Sequence, residues 1–409
     1  MSLVVALCHR RVAGGRMRRR WAPPGLALDG SVAAPMSISR IRTNRSSRDE
    51  RPGRMPQIEP GLVERIACRR MHEPGIGGDG RSRSSGRPDA GVRWIRVLSV
   101  ATAVATYCLI VLGSTVRVTD SGMGCPGWPL CSGQVGPIDR FHPLMEQSHR
   151  YLASLVTILI VALAILAWRT GARARHVRVP ALVSVGAIML QVVLGAITVI
   201  TTNAPVTVAL HLAVALLFLG SVTVTSVASF IEPEESWSLL HRPGRLAWVA
   251  VAGLLLVLVS GSLVVDGGAQ SACKSFPLCT GSAASGGLIA LQLAHRSMVL
   301  IGGTLVVVYL VALLRRGGVL GAEQVLALIG LVLLAAQVTV GIFNALLGAP
   351  EAVADVHLAL ASALWTVVVA VVAVASRGRR DDALHGGPRD VEGPTTQPDR
   401  ARSRIEQLG

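Results

Sequence analysis

The sequence is poor in charge and in aromatic residues. Of its 409 residues, only 16% are charged and 4% are aromatic, whereas 51% are hydrophobic. A soluble protein of this length cannot usually bury so much apolar side chain, so the composition argues against an ordinary soluble fold. The net charge of +16 is not accompanied by interleaved basic and aromatic residues, which argues against nucleic acid as a partner.

What the chain has in abundance is long apolar runs. About 20 apolar residues in a helix cross the hydrocarbon core of a membrane, and eight runs of that length recur along the sequence. We therefore predict an all-α membrane protein with eight transmembrane helices. The predicted spans are residues 96–116, 144–168, 180–200, 207–230, 246–265, 288–314, 323–346 and 352–376.

The arginines indicate how these spans are oriented. Nineteen of them lie in residues 1–93, and most of the others lie in every second connection and after the last span. Basic connections face the cytoplasm, so we predict a multi-pass protein of the bacterial plasma membrane with both termini cytoplasmic. The same charges favour contact with anionic membrane lipid.

The two ends of the chain differ in composition from the middle. Residues 1–93 are rich in Arg, Gly, Pro and Ser, and residues 377–409 are polar, so both predict disordered cytoplasmic tails. The N-terminal tail lacks a long apolar core beside a cleavage site, so no signal peptide is expected. Between the tails we expect an N-terminal half at 94–230, a cytoplasmic linker at 231–245 and a C-terminal half at 246–376.

The two halves are copies of each other. The pair His149-Arg150 recurs as His295-Arg296, and His211 recurs as His357, each 146 residues later. Gln191 and Gly195 recur as Gln337 and Gly341 at the same separation. Because each copy holds four spans, both copies enter the membrane in the same direction. This predicts two four-helix bundles related by a pseudo-twofold axis along the membrane normal.

The four repeated histidines are predicted at similar depth near the outer face. Two histidines on facing helices at matched height are what axial ligation of a haem iron requires. A single membrane histidine could equally well form a hydrogen bond between helices, but four in two register-matched pairs favour haem. Zinc is disfavoured because neither pair is accompanied by a carboxylate or a third histidine.

One position distinguishes the copies. Glu146 precedes the first histidine by three residues, and Gln292 occupies the same place in the second copy. A carboxylate at the membrane edge is energetically costly and indicates a functional site, although an interfacial residue without special function is the alternative. We expect chemistry in the first half and a held haem in the second.

The remaining polar residues of the spans and loops allow more than one interpretation. Arg150 and Arg296 could pair with haem propionates or extend towards lipid headgroups. Gln191 and Gln337 are expected to form hydrogen bonds between helices. Four cysteines form two pairs with five residues between the members, Cys125 with Cys131 and Cys273 with Cys279. Both pairs lie in predicted outer loops, where disulfides are plausible as structural staples or as redox relays.

Together these features resemble the haem A synthase family over residues 94–376. The resemblance is based on Gly113-Ser114-Thr115 to Arg117, the Cys125 to Cys131 loop, the motif from Glu146 to Arg150, His211, and the second-half copies. It implies eight helices, with haem b in the C-terminal half and haem O, the substrate, in the N-terminal half.

The resemblance also implies roles for individual residues. His295 and His357 would ligate the haem b iron, and His149 and His211 the haem O iron, with Arg150 also binding the substrate haem. Glu146 would be the catalytic carboxylate, and Cys125 and Cys131 would form a disulfide in the extracellular loop.

The implied reaction is the oxidation of the C8 methyl group of haem O by two successive hydroxylations. They would give a geminal diol that loses water to leave the formyl group of haem A, with water as the expected oxygen source. The product would serve haem-copper terminal oxidases. Haem O synthase (protohaem farnesyltransferase) and terminal oxidase assembly factors would be candidate partners, and a homo-oligomer is compatible with this interpretation.

Two other classes of protein share some of these features. A dihaem cytochrome that transfers electrons from quinol or thiol would have the same histidine pairs, but it would hold two permanent haems. A transporter would explain the repeat, but it predicts helices broken by glycine or proline at the membrane midplane. The apolar runs are not clearly broken in this way.

Overall fold

The computed structural model describes residues 90–377, apart from positions 126, 128–129, 132, 134–138, 234, 240–242 and 317–319. The predicted disordered tails therefore lie almost wholly outside the described residues. The exception is their inner margin, because the first helix begins at Ala90, four residues inside the predicted N-terminal tail.

The described part of the chain is helical, and it contains eight helices long and apolar enough to cross a membrane. This confirms the predicted number. The helices are α1 (Ala90–Val118), α2 (Phe141–Arg169), α3 (Arg175–Ile200), α4 (Pro205–Ala228), α5 (Gly244–Asp266), α6 (Gly286–Leu314), α7 (Ala322–Leu346) and α8 (Glu351–Ala375).

Several helices are longer than the apolar runs that predicted them. α1 begins six residues before its run, and α3 begins five residues before its run. An apolar run reports the thickness of the hydrocarbon core, whereas a helix continues for as long as its backbone hydrogen bonds can form. Pro180 falls in the second turn of α3, where it removes one backbone hydrogen bond without ending the helix.

The helices pack as two rings of four. In the first half, α1 to α4 pack against one another in sequence and α4 returns to α1, and α5 to α8 repeat this arrangement in the second half. The halves meet where α4 packs against α8, and this contact is flanked by α1 against α8 and α4 against α5. The shared packing pattern is what the sequence repeat predicts, while the pseudo-twofold axis itself stays a prediction.

A buried tryptophan joins the two halves. The Trp365 indole on α8 is 2% exposed, and its Nε1 donates a hydrogen bond to the Leu216 carbonyl on α4 at 2.7 Å. The ring fits because α4 has Gly220 opposite it, where an added Cβ would lie 3.4 Å from the indole. In a membrane, where lipid is as apolar as a side chain, such packing and hydrogen bonds supply most of the attraction between helices.

The connection between the halves also packs against α8. The Trp237 Nε1 atom donates to the Ala373 carbonyl at 2.9 Å, and the Ser238 amide donates to the Ser376 carbonyl at 3.1 Å. Trp237 and Ser238, which belong to the predicted linker at 231–245, therefore lie at the end of the second half where α8 finishes.

Two loops define one end of the bundle. Residues 119–140 connect α1 to α2 and contain the disulfide between Cys125 and Cys131. Residues 267–285 connect α5 to α6 and contain the disulfide between Cys273 and Cys279. The odd-numbered helices finish at this end, which we call the disulfide end.

Candidate functional site

Each of the four repeated histidines packs against a glycine on the preceding helix. An added Cβ on any of these glycines would lie 2.8–3.2 Å from Cε1 of the opposing imidazole. Since real Cβ atoms rarely come so close, glycine leaves space that no other residue would leave. The four contacts are Gly113 with His149, Gly195 with His211, Gly261 with His295 and Gly341 with His357.

The four contacts lie at one depth. Each glycine stands five residues before the last residue of its helix, which is about 7.5 Å at the rise of an α-helix. We call His149 and His211 the first-half pair, and His295 and His357 the second-half pair. α2 begins three residues before its predicted span, so His149 lies about two turns into the helix instead of one.

The surroundings of the rings fit iron ligands better than helix-bridging groups. The Nδ1 atoms of His149, His211 and His357 are buried without a hydrogen-bond partner. The Leu109 backbone interacts with the His149 ring, but outside normal hydrogen-bond geometry. Within each pair, the two rings are close enough to influence each other electrostatically. Paired imidazoles on helices of one bundle, three of them with a buried Nδ1 atom that has no protein partner, are suited to hold a haem by its iron.

The repeated glutamines have different partners in the two halves. Gln191 on α3 donates from Nε2 to the His211 backbone carbonyl on α4 at 2.9 Å, which is the predicted hydrogen bond between helices. Gln337 instead places its Nε2 atom 3.3 Å from Nε2 of the His357 ring. A haem iron at that nitrogen would take the place of the amide.

Glu146 is buried and held by two donors. The residue is 5% exposed, and one carboxylate oxygen pairs with the Arg150 guanidinium one turn later on α2. The other oxygen accepts a hydrogen bond of 2.8 Å from the Cys125 backbone amide in the disulfide loop. Arg150 also donates to the Gly127 carbonyl at 2.9 Å. The carboxylate therefore fixes the disulfide loop to α2, a tether that the sequence did not predict.

The second half keeps the geometry of this tether but not its charge. The Gln292 side chain donates from Nε2 to the carbonyls of Ala269 and Gln270 at 2.8 and 3.2 Å. Arg296 donates to the carbonyls of Cys273, Ser275 and Pro277 at distances of 2.8–3.2 Å. Gln292 and Arg296 thus hydrogen-bond to the second loop through its backbone carbonyls.

Both cysteine pairs are bonded. Their Cα atoms are 4.7 Å apart in the first loop and 5.0 Å apart in the second, within the usual range for a disulfide. Cys125 and Cys273, the first cysteines of the two loops, are 1% and 0% exposed. The first disulfide therefore adjoins the Glu146 tether directly, through the Cys125 amide.

Two acidic residues missed by the sequence analysis, Asp266 and Asp355, connect the halves near the disulfide end. Arg117 at the end of α1 pairs with Asp266 at the end of α5, which also accepts a hydrogen bond of 2.6 Å from Ser262. Ser114, next to the glycine that contacts His149, donates to Asp355 on α8 at 2.6 Å. The sequence did contain a signal for Asp266 and Asp355, since each is an acidic residue near the end of an apolar span.

Other features of the described residues do not add a second site. No group of three or more His, Cys, Asp or Glu side chains in the described ranges is placed to hold a metal ion. A cavity of about 450 Å³ lies at the second disulfide loop, lined by residues including Lys274, Ser275 and Ser282. None of the four histidines lines it, so this cavity is separate from the candidate haem sites.

Comparison with known proteins gives a consistent result. The family model described as Cytochrome oxidase assembly protein (COX15-CtaA) matches residues 96–143 and 139–369. A protein named Heme A synthase from Halalkalibacterium halodurans is 28% identical over 298 residues, which are 70% of this chain and 99% of the relative. The Heme A synthase of Shouchella clausii is 28% identical over 293 residues, 69% of this chain and 97% of the relative. A third, from Geobacillus thermodenitrificans, is 32% identical over 197 residues, 46% of this chain and 62% of the relative.

Proposed function

Because the chain belongs to the haem A synthase family of cytochrome oxidase assembly proteins, we propose that it oxidises the C8 methyl group of haem O to the formyl group of haem A. Each of two successive oxidations forms one C–O bond with the oxygen of a water and releases two protons and two electrons, and the electrons pass to an acceptor outside the chain. The resulting geminal diol loses water to leave the aldehyde. One difference between the matching halves supports the proposal. The first half has the carboxylate of Glu146 at the position where the second half has the amide of Gln292.

The first half is the proposed substrate site. The first-half pair would hold the iron of haem O between α2 and α4, with Gly113 and Gly195 leaving room for the rings. Arg150 lies on the same helix as His149 and already carries its charge at the disulfide end. It would orient a propionate of the substrate while remaining tied to the loop, since a guanidinium has five N–H donors.

Glu146 is the proposed catalytic residue. The carboxylate has room for about four hydrogen bonds, and the contacts to Arg150 and the Cys125 amide use one on each oxygen. The remaining acceptor positions can stabilise positive charge that develops on the methyl carbon, or accept a proton from the attacking water. Burial strengthens both effects because little solvent screens the charge.

The second half is the proposed site of haem b. The second-half pair would ligate its iron, and Gln292 and Arg296 hold the loop over it through backbone carbonyls. When bound there, haem b supplies a one-electron redox centre next to the substrate half. Neither side chain offers a carboxylate, which suits a site that holds its haem without modifying it.

The distribution of arginine supports the proposed orientation. Arg169, Arg173, Arg175 and Arg178 lie at the end of the bundle opposite the disulfide end, as do Arg315 and Arg316. Under the positive-inside rule that end faces the cytoplasm, and both termini with it. The disulfides then face the oxidising side of the plasma membrane, where they persist. Haem O synthase in the same membrane would supply the substrate, and terminal oxidase assembly factors would take the product.

The test is to identify the haems that the protein yields. The full chain is expressed with and without a haem O synthase, and the haems extracted from the purified protein and from the membranes are separated and identified. We expect haem A only when haem O is supplied and the chain is active, with haem b present in both preparations. Two permanent haems and no modified porphyrin would instead identify a dihaem electron-transfer cytochrome.

A further inference from the structure

One histidine of the four has a side chain hydrogen-bonded to its Nδ1 atom. Oγ of Ser260 on α5 lies 2.8 Å from Nδ1 of His295 on α6. The serine is 8% exposed and stands next to Gly261, the glycine that packs against the same imidazole. The ring is therefore fixed from α5 by two neighbouring residues, one that leaves space for it and one that bonds to it.

The hydrogen bonds of the serine determine the direction of this contact. Ser260 Oγ also lies 2.7 Å from the Val257 carbonyl, to which the hydroxyl donates. A hydroxyl has a single hydrogen, and a carbonyl can only accept. The Oγ atom must therefore accept from the ring, so the proton of neutral His295 is on Nδ1. The Nε2 lone pair of His295 is then available for iron.

The first half lacks this arrangement. When the halves are aligned on the glycines that contact His149 and His295, Ser260 corresponds to Leu112 and Val257 corresponds to Leu109, each 148 residues earlier. A leucine side chain cannot accept a hydrogen bond. The Leu109 backbone approaches the His149 ring, but Nδ1 of His149 remains without a bond of normal geometry.

We infer that Ser260 is a positioning residue for the resident haem, which fixes the tautomer and orientation of His295 so that Nε2 stays on the iron. This inference rests on the proposed placement of haem b in the second half. An acceptor at Nδ1 makes a ligating imidazole a stronger electron donor and stabilises ferric iron. The first half, with leucine at the corresponding position, binds its iron with a less constrained histidine, which suits a haem that must leave as product.

The test is a redox titration of the haem in the purified full-length protein. The visible absorption spectrum of the haem monitors its oxidation state during the titration. Ser260→Ala should keep the low-spin haem but raise its midpoint potential. The expected change is on the order of tenfold in the ferric–ferrous equilibrium, about 59 mV for one electron. Ser260→Thr keeps a hydroxyl and should restore the potential. Ser297→Ala removes an exposed α6 hydroxyl that bonds only to the Leu293 carbonyl, and should leave the potential unchanged.

Each alternative outcome decides the question. A Ser260→Ala protein with full haem content and an unchanged potential would overturn the inference. Ser260→Ala could instead lose its haem. In that case, retention of haem by Ser260→Thr would support the role of the hydroxyl as the acceptor for His295. Loss of haem from both variants would show that the position matters only for packing, and would refute the inference. The potential is measured whichever reaction the protein performs. A shift in a protein that makes no haem A would therefore refute the proposed reaction and leave the role of Ser260 intact.

Discussion

Replacing Glu146 by glutamine tests the proposed chemistry with the least disturbance of the structure. The substitution keeps the volume of the side chain, and its amide oxygen can still accept from either the Cys125 amide or Arg150. What it removes is the negative charge at a position that is 5% exposed. Losing one preorganised charge-stabilising group in such a site costs about 2.7–4 kcal/mol of barrier, or on the order of 100- to 1,000-fold in rate.

The same substitution should destabilise the folded protein by less than the loss of the whole ion pair. Breaking a buried ion pair outright costs about 3–5 kcal/mol, because one charge is left without a partner. In Glu146→Gln this is an upper limit, since Arg150 retains its bond to the Gly127 carbonyl and can bond to the new amide oxygen. We therefore expect a folded protein with its resident haem and very little haem A.

The assay compares the ratio of haem A to haem O in membranes that express equal amounts of each variant. The low-spin spectrum of the purified protein checks folding independently. The matched control is Gln292→Glu, which should create no second active site because, under the proposed assignment, the second half holds the resident haem. Its carboxylate would also face two carbonyl oxygens in place of the amide donor. A near-normal haem A ratio from Glu146→Gln would refute the role assigned to this carboxylate.

Three further predictions follow from the same geometry. Replacing either member of the second-half pair by alanine should abolish the low-spin haem b spectrum of the purified protein. The same change in the first-half pair should largely spare that spectrum. Equal loss from both pairs would favour a dihaem cytochrome. Gly341→Ala should lower the haem content of the purified protein severalfold, because its Cβ would lie 2.8 Å from the His357 ring. Gly303→Ala on α6 is the control and should not lower the haem content, because a Cβ there would meet nothing within 4 Å. An impermeant thiol reagent should reach the partly exposed Cys279 from outside intact cells after reduction but fail to label a cysteine introduced after residue 380. Labelling of that tail would contradict the eight-span orientation.

The number of helices could be predicted from the sequence because the membrane imposes a length on each apolar run. The ends could not, since a helix continues past the hydrocarbon core wherever its backbone remains bonded. Residues 90–95 and 141–143 belong to helices for this reason, although they lie outside the predicted spans.

The histidine pairs could also be predicted, because the repeat marks them twice at one separation. The residues that contact those histidines could not be predicted in the same way. The repeat included Gly195 and Gly341, but the chain has 43 glycines, and only the packing of helices shows which of them adjoin an imidazole. Ser260 was missed for a related reason: its role depends on a contact across two helices, and its counterpart in the first half is a leucine.

The way each loop is tied down gives the two halves different properties. Arg296 holds the second loop through three carbonyl oxygens, and these interactions do not depend on any other side chain or on its charge. Arg150 holds the first loop partly through Glu146, which in turn accepts from the Cys125 amide of that loop. Under the proposed function, a Glu146 side chain that turned towards a substrate would give up its bond to the Cys125 amide and so loosen its own loop. Arg296 would keep its three bonds to the second loop whatever Gln292 did. On this proposal, the first loop would respond to events at the substrate site, as the entry of one haem and the release of another would require.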